Sequence, residues 1–243
     1  MKKLFLPIAL LLLVAASCNP KDPNEVDVET YSLCDSVFIE SEYGDGYSRF
    51  NVNLDLPVTK NQTLRQNILH WMLSEETDDP VSYLEMLRDG FFGEDGSEPR
   101  SVYEDNYSLS EQTDKYVTYT TEGYEYTGGA HAMPWYNGTT FSKIDGSIVG
   151  YDLFVDPEQL IGIIAENIKN QYFEKDAEEG LFPEYEEITT LPASEPWIET
   201  DSVVFCYQAY EIASYAAGMP LCKIALTDLK PYLSEKGKTF LNP

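Results

Sequence analysis

Histidine is scarce in this chain, whose 243 residues contain only His70 and His131. A zinc site built on histidines needs at least two at helical or hairpin spacing, and no HExxH pattern is present. The sequence also has no GxSxG nucleophile elbow, so it carries no serine hydrolase signature. We therefore assign no catalytic residue and expect neither a metal ion nor another cofactor.

Basic residues are also few, with 16 lysines and arginines against 42 aspartates and glutamates and a formal net charge of −26. Binding of nucleic acid requires clustered basic side chains, and a field of this sign repels both polyanions and anionic lipid surfaces. The balance excludes nucleic acid and favours a basic partner. The same acidity would also keep a tethered protein soluble without selecting any partner.

Cysteine is rare, and its spacing shows no CxxC motif among Cys18, Cys34, Cys206 and Cys222. The absence of this motif excludes zinc-ribbon and thioredoxin-like sites. Cys206 and Cys222 lie in separate apolar, strand-like runs, where they could be cross-strand neighbours or simply small buried residues. We predict that both are buried thiols. A complete internal disulfide framework is excluded if Cys18 is modified, because three cysteines then remain.

The start of the chain has the pattern of a bacterial lipoprotein signal. Met1-Lys2-Lys3 precedes the apolar residues 4–16, which are too few for a stop-transfer helix, and small residues lead to Cys18. We expect residues 1–17 to be removed and Cys18 to be lipidated; plain secretory cleavage is the alternative. Without residues 1–17 the chain has 14 basic and 42 acidic residues, a formal charge of −28. Residues 18–27 are predicted to form a short tether. The signal and the lipid on Cys18 predict that the protein lies in the cell envelope, anchored to a membrane and facing the periplasm or the cell surface.

Strand and helix signals come in runs rather than in strict alternation, which predicts an α+β fold. We expect a mainly antiparallel sheet with helices packed on one face, arranged as two intertwined lobes. The predicted division gives an N-terminal strand-helix lobe over residues 28–114 and a C-terminal α+β domain over residues 115–243.

Local patterns place several elements within these lobes. Strict alternation over residues 50–56 predicts a half-buried strand, and Asn61 and Asp79-Pro80 each begin a helix. The second helix has an apolar stripe formed by Val81, Leu84 and Leu87. Residues 89–107, rich in glycine and acidic residues, are predicted to form an excursion, a loop between regular elements. Thr227 is predicted to cap a last short helix.

Aromatic residues supply the positive indication of recognition, since the chain has 18 tyrosines. Tyr and Trp give rigid, amphipathic contact area for proteins and sugars. His131 follows two glycines, which allow a loop to present its ring; the alternative is that its ring nitrogen merely anchors that loop to a carbonyl. The candidates for ligand or partner binding are His131, Trp135, Tyr210, Glu211 and Tyr215. Ordinary half-buried packing is the alternative for the aromatic residues.

Two stretches carry a family resemblance: residues 124–131, YEYTGGAH, and residues 205–218, FCYQAYEIASYAAG. They resemble the RsiV-type extracellular domain family, of otherwise uncharacterised function. That family typically shows a Tyr-x-x-Gly-Gly-Ala-His loop, an Asp-Leu-Phe element matched here by Asp152-Leu153-Phe154, and a Tyr-Glu-Ile-Ala-x-Tyr-Ala-x-Gly segment. The resemblance covers residues 116–233. This chain departs at Ala209 and Ser214, where the family often has prolines, and at Ala132, where it often has glycine.

The resemblance implies an α+β fold outside the membrane, of the kind found in an anti-sigma-factor ectodomain that senses lysozyme and in an accessory region of a peptidoglycan deacetylase. We therefore expect a non-enzymatic binding or sensing module for an envelope ligand or a basic protein such as lysozyme. One alternative is an enzyme or accessory module acting on peptidoglycan or another envelope glycan, with His131, Tyr210 and Glu211 in a cleft. The other is a structural scaffold lipoprotein.

Overall fold

The computed structural model describes residues 25–42, 44–73, 77, 79–93, 98–172 and 188–241. Within these residues lie nine strands: β1 (Asp27–Ile39), β2 (Gly46–Val58), β3 (Val102–Gln112), β4 (Tyr116–Tyr126), β5 (Met133–Ser142), β6 (Ile148–Val149), β7 (Trp197–Glu199), β8 (Ser202–Cys206) and β9 (Leu221–Ala225). The same residues form five α-helices: α1 (Gln62–Leu73), α2 (Pro80–Phe91), α3 (Ile161–Tyr172), α4 (Leu226–Leu229) and α5 (Glu235–Leu241).

The strands form a six-stranded sheet in the order β1-β2-β3-β4-β5-β6 and a three-stranded sheet in the order β7-β8-β9. β1 and β2 pair antiparallel, as do all neighbours in the smaller sheet, whereas β2 and β3 pair parallel. The parallel pair requires a long crossover, which α1 and α2 occupy in the chain. The predicted α+β class with a mainly antiparallel sheet is confirmed.

The chain forms two compact units whose segments alternate along the sequence. Unit 1 draws on the described residues of Met1–Leu109 and Thr121–Pro134, and unit 2 on those of Ser110–Thr120 and Trp135–Pro243. Strands β3, β4 and β5 therefore each contribute residues to both units.

Unit 1 has its core on one face of the β1–β2 ribbon. Phe50, Val52 and Leu54 are each 1% exposed, and they alternate with partly exposed asparagines, as the period-two pattern predicted. Helix α1 begins as predicted, because the Asn61 side chain accepts a hydrogen bond from the Leu64 amide at 3.1 Å. The buried side chains of this helix are Leu64, Ile68, Leu69, Met72 and Leu73.

Helix α2 also begins where predicted, with the Asp79 carboxylate accepting hydrogen bonds from the Val81 and Ser82 amides. Fewer residues of its predicted apolar stripe are buried than expected. Leu84 is buried, but Val81 is 42% exposed. Val81 lies in the first turn of the helix, and its side chain there is exposed to solvent.

The prediction of an excursion over residues 89–107 is wrong at both ends, because α2 continues to Phe91 and β3 begins at Val102. Val102 and Asp105 of β3 are buried even though the segment is polar. The Tyr103 ring stacks on Phe50 at 5.1 Å between centroids, and Asp105, only 5% exposed, accepts a hydrogen bond from the Thr121 hydroxyl at 2.6 Å. A carboxylate paired in this way can lie inside a sheet, although its residue type argues for a loop.

Unit 2 has its core between α3 and the smaller sheet. Leu160, Ile164 and Ile168 are fully buried on the predicted apolar face and belong to one cluster with Val203 and Phe205. Two threonines fix strand β7. Thr118 donates to the Ile198 carbonyl at 3.0 Å, and Thr140 accepts from the Ile198 amide at 2.8 Å.

The end of the chain differs from prediction. Helix α4 begins at Leu226 after Ala225, so Thr227 lies inside it and does not cap it. A further helix, α5, follows. Lys115 donates to the carbonyls of Thr239 and Phe240 in its last turn, at 3.2 and 3.0 Å, an arrangement that neutralises unpaired carbonyls at a helix C-terminus.

The prediction of buried thiols is confirmed, because Cys206 and Cys222 are both free and buried. Their registry partners are Leu221 and Phe205 respectively. Since successive side chains of a strand alternate between faces, Cys206 and Cys222 point to opposite faces of the small sheet. The pair therefore cannot form a disulfide in this register.

Candidate functional site

The segment between β8 and β9, residues 207–220, holds three of the five predicted binding residues, and we term it the tyrosine loop. Its two ends are tied together, since the Tyr207 amide donates to the Pro220 carbonyl at 2.9 Å. The Tyr207 hydroxyl donates to the Thr190 carbonyl at 2.6 Å. Tyr207 itself is fully buried, so the loop starts from a fixed point in the core.

Gln208 attaches the loop to strand β5. Its Nε2 donates to the Tyr136 carbonyl at 2.7 Å, and its Oε1 accepts from the Tyr136 amide at 3.3 Å. A side-chain amide used in this way satisfies both backbone groups of one residue, as a neighbouring strand would. Strand β5 carries Trp135 immediately before Tyr136, so the attachment brings the loop to the strand that holds another predicted binding residue.

Glu211 stabilises the loop from within. Its Oε2 accepts from the Gln208 amide at 2.7 Å, and its Oε1 accepts from the Ala193 amide at 2.6 Å. Both carboxylate oxygens therefore bind backbone N–H groups, an arrangement that is strong because the acceptor is charged. The structure places this predicted binding residue as a support for the loop.

Tyr210 lies at the outer part of the loop in an uncommon conformation. Its φ is +70°, in the left-handed region that bulky side chains rarely occupy. The residue is 53% exposed, and its ring centroid lies 5.8 Å from that of Tyr215. Such conformations cost about 1–3 kcal/mol and persist where the surrounding contacts determine them. Here Gln208 and Glu211 provide those contacts.

Tyr215 begins a short 3-10 turn, Tyr215–Ala217, which ends at Gly218. The Gly218 amide donates to the Tyr215 carbonyl at 2.9 Å, and the φ of +71° at Gly218 is one that glycine adopts readily. The Tyr215 side chain is partly buried. The two tyrosine rings therefore form one tilted aromatic surface that is anchored at Tyr215 and open at Tyr210.

Trp135 is partly buried on β5. The next residue, Tyr136, packs edge-on against the buried Trp197 with a centroid separation of 5.6 Å. Alternation along the strand directs Trp135 to the other face from Tyr136. Trp135, Tyr210, Glu211 and Tyr215 all belong to unit 2.

His131 belongs to unit 1, in the loop between β4 and β5. The loop turns at Gly128 and Gly129, whose φ values are +109° and +90°. The His131 ring is exposed, and its Nδ1 lies 3.0 Å from the Ala132 carbonyl oxygen. This is the loop-anchoring contact expected as the alternative to ligand binding.

Sequence reasoning did not find Gln208, Tyr136 or the supports beside the loop. One such support is Glu195, whose Oε2 accepts from the Tyr151 amide at 2.7 Å. The Tyr151 hydroxyl donates to the Pro192 carbonyl at 3.0 Å. These contacts join segments that are far apart in the chain, so no local sequence pattern predicts them.

The electrostatics around the loop disfavour thiol chemistry. Burial raises the pKa of Cys206 to about 12, with the Glu211 carboxylate adding to the shift, and burial likewise raises the pKa of Cys222 to about 12. A nucleophilic cysteine needs the opposite shift. Burial also raises the pKa values of Tyr151 and Tyr207, so both phenols stay protonated.

Across the ranges that the structure describes, no three His, Cys, Asp or Glu side chains come together as a metal site requires. Nor does any helix in those ranges have the length and apolarity to cross a membrane. Cys18 and most of the predicted tether, residues 18–27, lie outside the described residues.

Comparison with protein families finds a match over part of the chain. Residues 151–226 match the family described as "Protein of unknown function (DUF3298)". The matched region runs from Tyr151 through the whole tyrosine loop to the start of α4. No curated protein matches the chain.

Solved structures of DUF3298 proteins share the fold. A DUF3298 family member from Bacteroides fragilis NCTC 9343 is 15% identical, with a TM-score of 0.63 over 89% of this chain and 98% of that chain. A DUF3298 family protein from Pseudomonas aeruginosa PAO1 is 17% identical, with a TM-score of 0.55 over 86% of this chain and 95% of that one. At these identities the similarity concerns the fold alone.

Proposed function

We propose that this chain is a non-enzymatic binding module of the bacterial cell envelope that recognises a basic protein through the tyrosine loop, with lysozyme as the first candidate. The observation that carries the proposal is Tyr210, a large ring 53% exposed at a φ of +70°. An exposed aromatic side chain held in a strained conformation is ready to bind without further ordering, and tyrosine is enriched among residues that dominate binding energy.

Charge supports a basic partner. The chain has a formal net charge of −26, which accelerates the encounter with a cationic protein and makes that encounter sensitive to salt. Charge alone attracts any cation, so selectivity must come from the shape and chemistry of the contact surface. The loop supplies that surface in the form of Tyr210 and Tyr215.

The test is a calorimetric titration of the purified protein with lysozyme at increasing salt. We expect saturable binding that weakens as salt rises, and a loss of about tenfold or more for Tyr210→Gly. Glycine adopts a φ of +70° without strain, so this variant removes the ring while preserving the loop. Val155→Ala is the matched control, because Val155 is an exposed apolar residue of the same unit at 75% exposure.

Two outcomes would overturn the proposal. One is the absence of saturable lysozyme binding at low salt. The other is equal affinity for wild type and Tyr210→Gly. A peptidoglycan fragment should be titrated in parallel, because an exposed tyrosine ring such as that of Tyr210 can also stack on a sugar ring. If the fragment binds and lysozyme does not, the ligand of the loop is a glycan and the proposal of a protein partner is wrong.

The proposed site of action rests on the lipoprotein signal, with Cys18 as the lipid-bearing residue. Expression with a labelled fatty acid should place label on the wild-type chain and none on Cys18→Ser. Labelling that survives this substitution would contradict the anchor. Because the anchor and the tyrosine loop are tested separately, either part can fail without the other.

A further inference from the structure

Unit 1 leaves two large aromatic rings side by side in solvent at one end of the β1–β2 ribbon. Phe38 and Tyr47 are directly opposite each other in the antiparallel register. Their centroids lie 5.0 Å apart in an edge-to-face arrangement, and they are 46% and 63% exposed. Single exposed apolar residues are ordinary on protein surfaces, whereas two adjacent exposed rings form a contact surface.

Carboxylates surround this pair. Residues 27–58 contain seven acidic residues and a single basic one, Arg49. Three of the acids, Glu40, Glu42 and Asp45, lie in the turn beyond the ring pair, and all are exposed. The Asp45 carboxylate accepts a hydrogen bond from the Ser41 amide at 3.2 Å, which fixes one of these charges in position.

Cross-strand aromatic pairs also stabilise hairpins, so the pair could serve the fold alone. The ribbon has other support, however. Its ladder runs without interruption from Asp27 paired with Val58 to Ile39 paired with Gly46. Its opposite face buries Leu33 and Val37, at 7% and 3% exposure. The ribbon is therefore held along its whole length without the exposed rings.

We propose that the hairpin tip, defined as Phe38, Glu40, Glu42, Asp45 and Tyr47, is a docking surface for a lysine- or arginine-rich segment of a partner polypeptide. The aromatic faces attract a cationic side chain through their quadrupoles, and the carboxylates pair with its charge. The acidity of the whole ribbon adds to this attraction. The surface belongs to unit 1 and is separate in sequence from the tyrosine loop, so it does not depend on the function proposed for that loop.

The test is a calorimetric titration of the full chain with the blocked octapeptide KRGKRGKR at low salt. We expect saturable binding, weakened about tenfold in the double variant Phe38→Thr/Tyr47→Thr, in which threonine keeps the strand preference. The control is Val28→Thr/Val58→Thr, which removes two exposed apolar residues, 40% and 45% exposed, at the other end of the same ribbon. It should bind like wild type.

A second pair of variants separates the local carboxylates from the net charge. Glu40→Gln/Asp45→Asn and Asp27→Asn/Glu29→Gln each remove two negative charges from the ribbon, at opposite ends. The first should weaken peptide binding several-fold more than the second. Circular dichroism shows whether the aromatic double variant folds. If it does not fold, the two charge variants still test the proposed docking surface.

The inference is overturned if the peptide does not bind wild type, if the aromatic variant binds as well as its control, or if the two charge variants lose affinity equally. It is also overturned if a neutral chitin oligosaccharide binds at the rings in place of the peptide. The tyrosine-loop proposal is tested with lysozyme and Tyr210→Gly, whereas this inference is tested with the peptide and the hairpin-tip variants, so a failure of one is distinguishable from a failure of the other.

Discussion

Gln208 binds both backbone groups of Tyr136, with its Nε2 2.7 Å from the Tyr136 carbonyl oxygen and its Oε1 3.3 Å from the Tyr136 amide. The two residues are 72 positions apart in the chain. This contact joins the start of the tyrosine loop to β5, and Glu211 then fixes the next turn. Gln208 and Glu211, both partly buried, thus support the loop on which Tyr210 is exposed.

Substituting Gln208 by alanine should loosen the loop without removing its aromatic surface. We expect the free energy of unfolding to fall by about 1–3 kcal/mol, because the hydrogen bonds between the Gln208 side chain and the amide and carbonyl of Tyr136 are lost. Urea unfolding measures that change, and hydrogen exchange should show faster exchange of the Tyr136 amide. Gln159→Ala is the control, since Gln159 is exposed and its Nε2 donates to the exposed Asp156 at 3.0 Å. Equal stability of the two variants would contradict a structural role for Gln208.

Much of the fold is visible in the sequence because its signals are local. The alternation through Phe50, Val52 and Leu54 and the cap at Asn61 depend on residues within a few positions of one another. Strand β3 was missed because its acidic residues and tyrosines suggest a loop. The buried Asp105 in this strand is paired with the Thr121 hydroxyl of another strand, and sequence spacing does not reveal that pairing.

The candidate site was predictable only in part, for the same reason. Tyr210 and Tyr215 stood out by composition and by family resemblance, and both lie on the loop as a close pair. Glu211 is predicted to bind a ligand or partner, and in the structure both its carboxylate oxygens accept hydrogen bonds from backbone amides. Gln208, which holds the loop in place, is a polar residue with no periodic or motif signal, and its partner is far away in the chain.

Gly138 should not tolerate a side chain. A Cβ atom at this position of β5 would lie closer than 3.0 Å to three ring atoms of Trp197, a residue only 1% exposed. Overpacking of a core costs about 1–3 kcal/mol, and a rigid indole can yield little. We therefore expect Gly138→Ala to lower the free energy of unfolding by at least about 2 kcal/mol and to change the near-ultraviolet circular dichroism.

Gly162 provides the matched control for that substitution. It lies in α3, and an added Cβ would meet nothing within 4 Å. Alanine stabilises a helix relative to glycine by about 0.5–1 kcal/mol. Gly162→Ala should therefore raise the denaturation midpoint slightly. If Gly138→Ala were as stable as Gly162→Ala, the close packing of β5 on Trp197 would be disproved.

The cysteines should differ sharply in reactivity. Burial raises the pKa values of Cys206 and Cys222 to about 12, so at pH 8 only about one thiol in ten thousand of each is a thiolate. Cys34 is exposed on β1. In a Cys18→Ser background, Ellman's reagent should therefore react rapidly with one thiol in the native protein and with three after unfolding. Cys34→Ser should abolish the rapid reaction; rapid reaction of more than one thiol would show that the small sheet is more open than described.

Alkaline pH should unfold the protein because several buried tyrosines resist ionisation. Burial raises the pKa of Tyr207 above the ordinary value of 10.0, and the pKa values of Tyr103, Tyr107, Tyr116 and Tyr151 are raised as well, with desolvation the largest cause. A raised pKa in the folded state means that folding favours the protonated phenol. This stabilisation is complete below about pH 10 and declines as pH rises above it, because the unfolded chain then releases protons more readily.

Absorbance at 295 nm and circular dichroism, followed together from pH 8 to 13, measure this effect. We expect a first group of tyrosines to ionise with the fold intact and the remainder to ionise only as the ellipticity is lost. Tyr207→Phe removes one of the resistant phenols and its 2.6 Å hydrogen bond to Thr190. It should lower stability at pH 8 but make the decline above pH 10 shallower, by at most about 1.4 kcal/mol per pH unit. Ionisation of all tyrosines before any loss of ellipticity would show that these phenols are accessible in the folded protein.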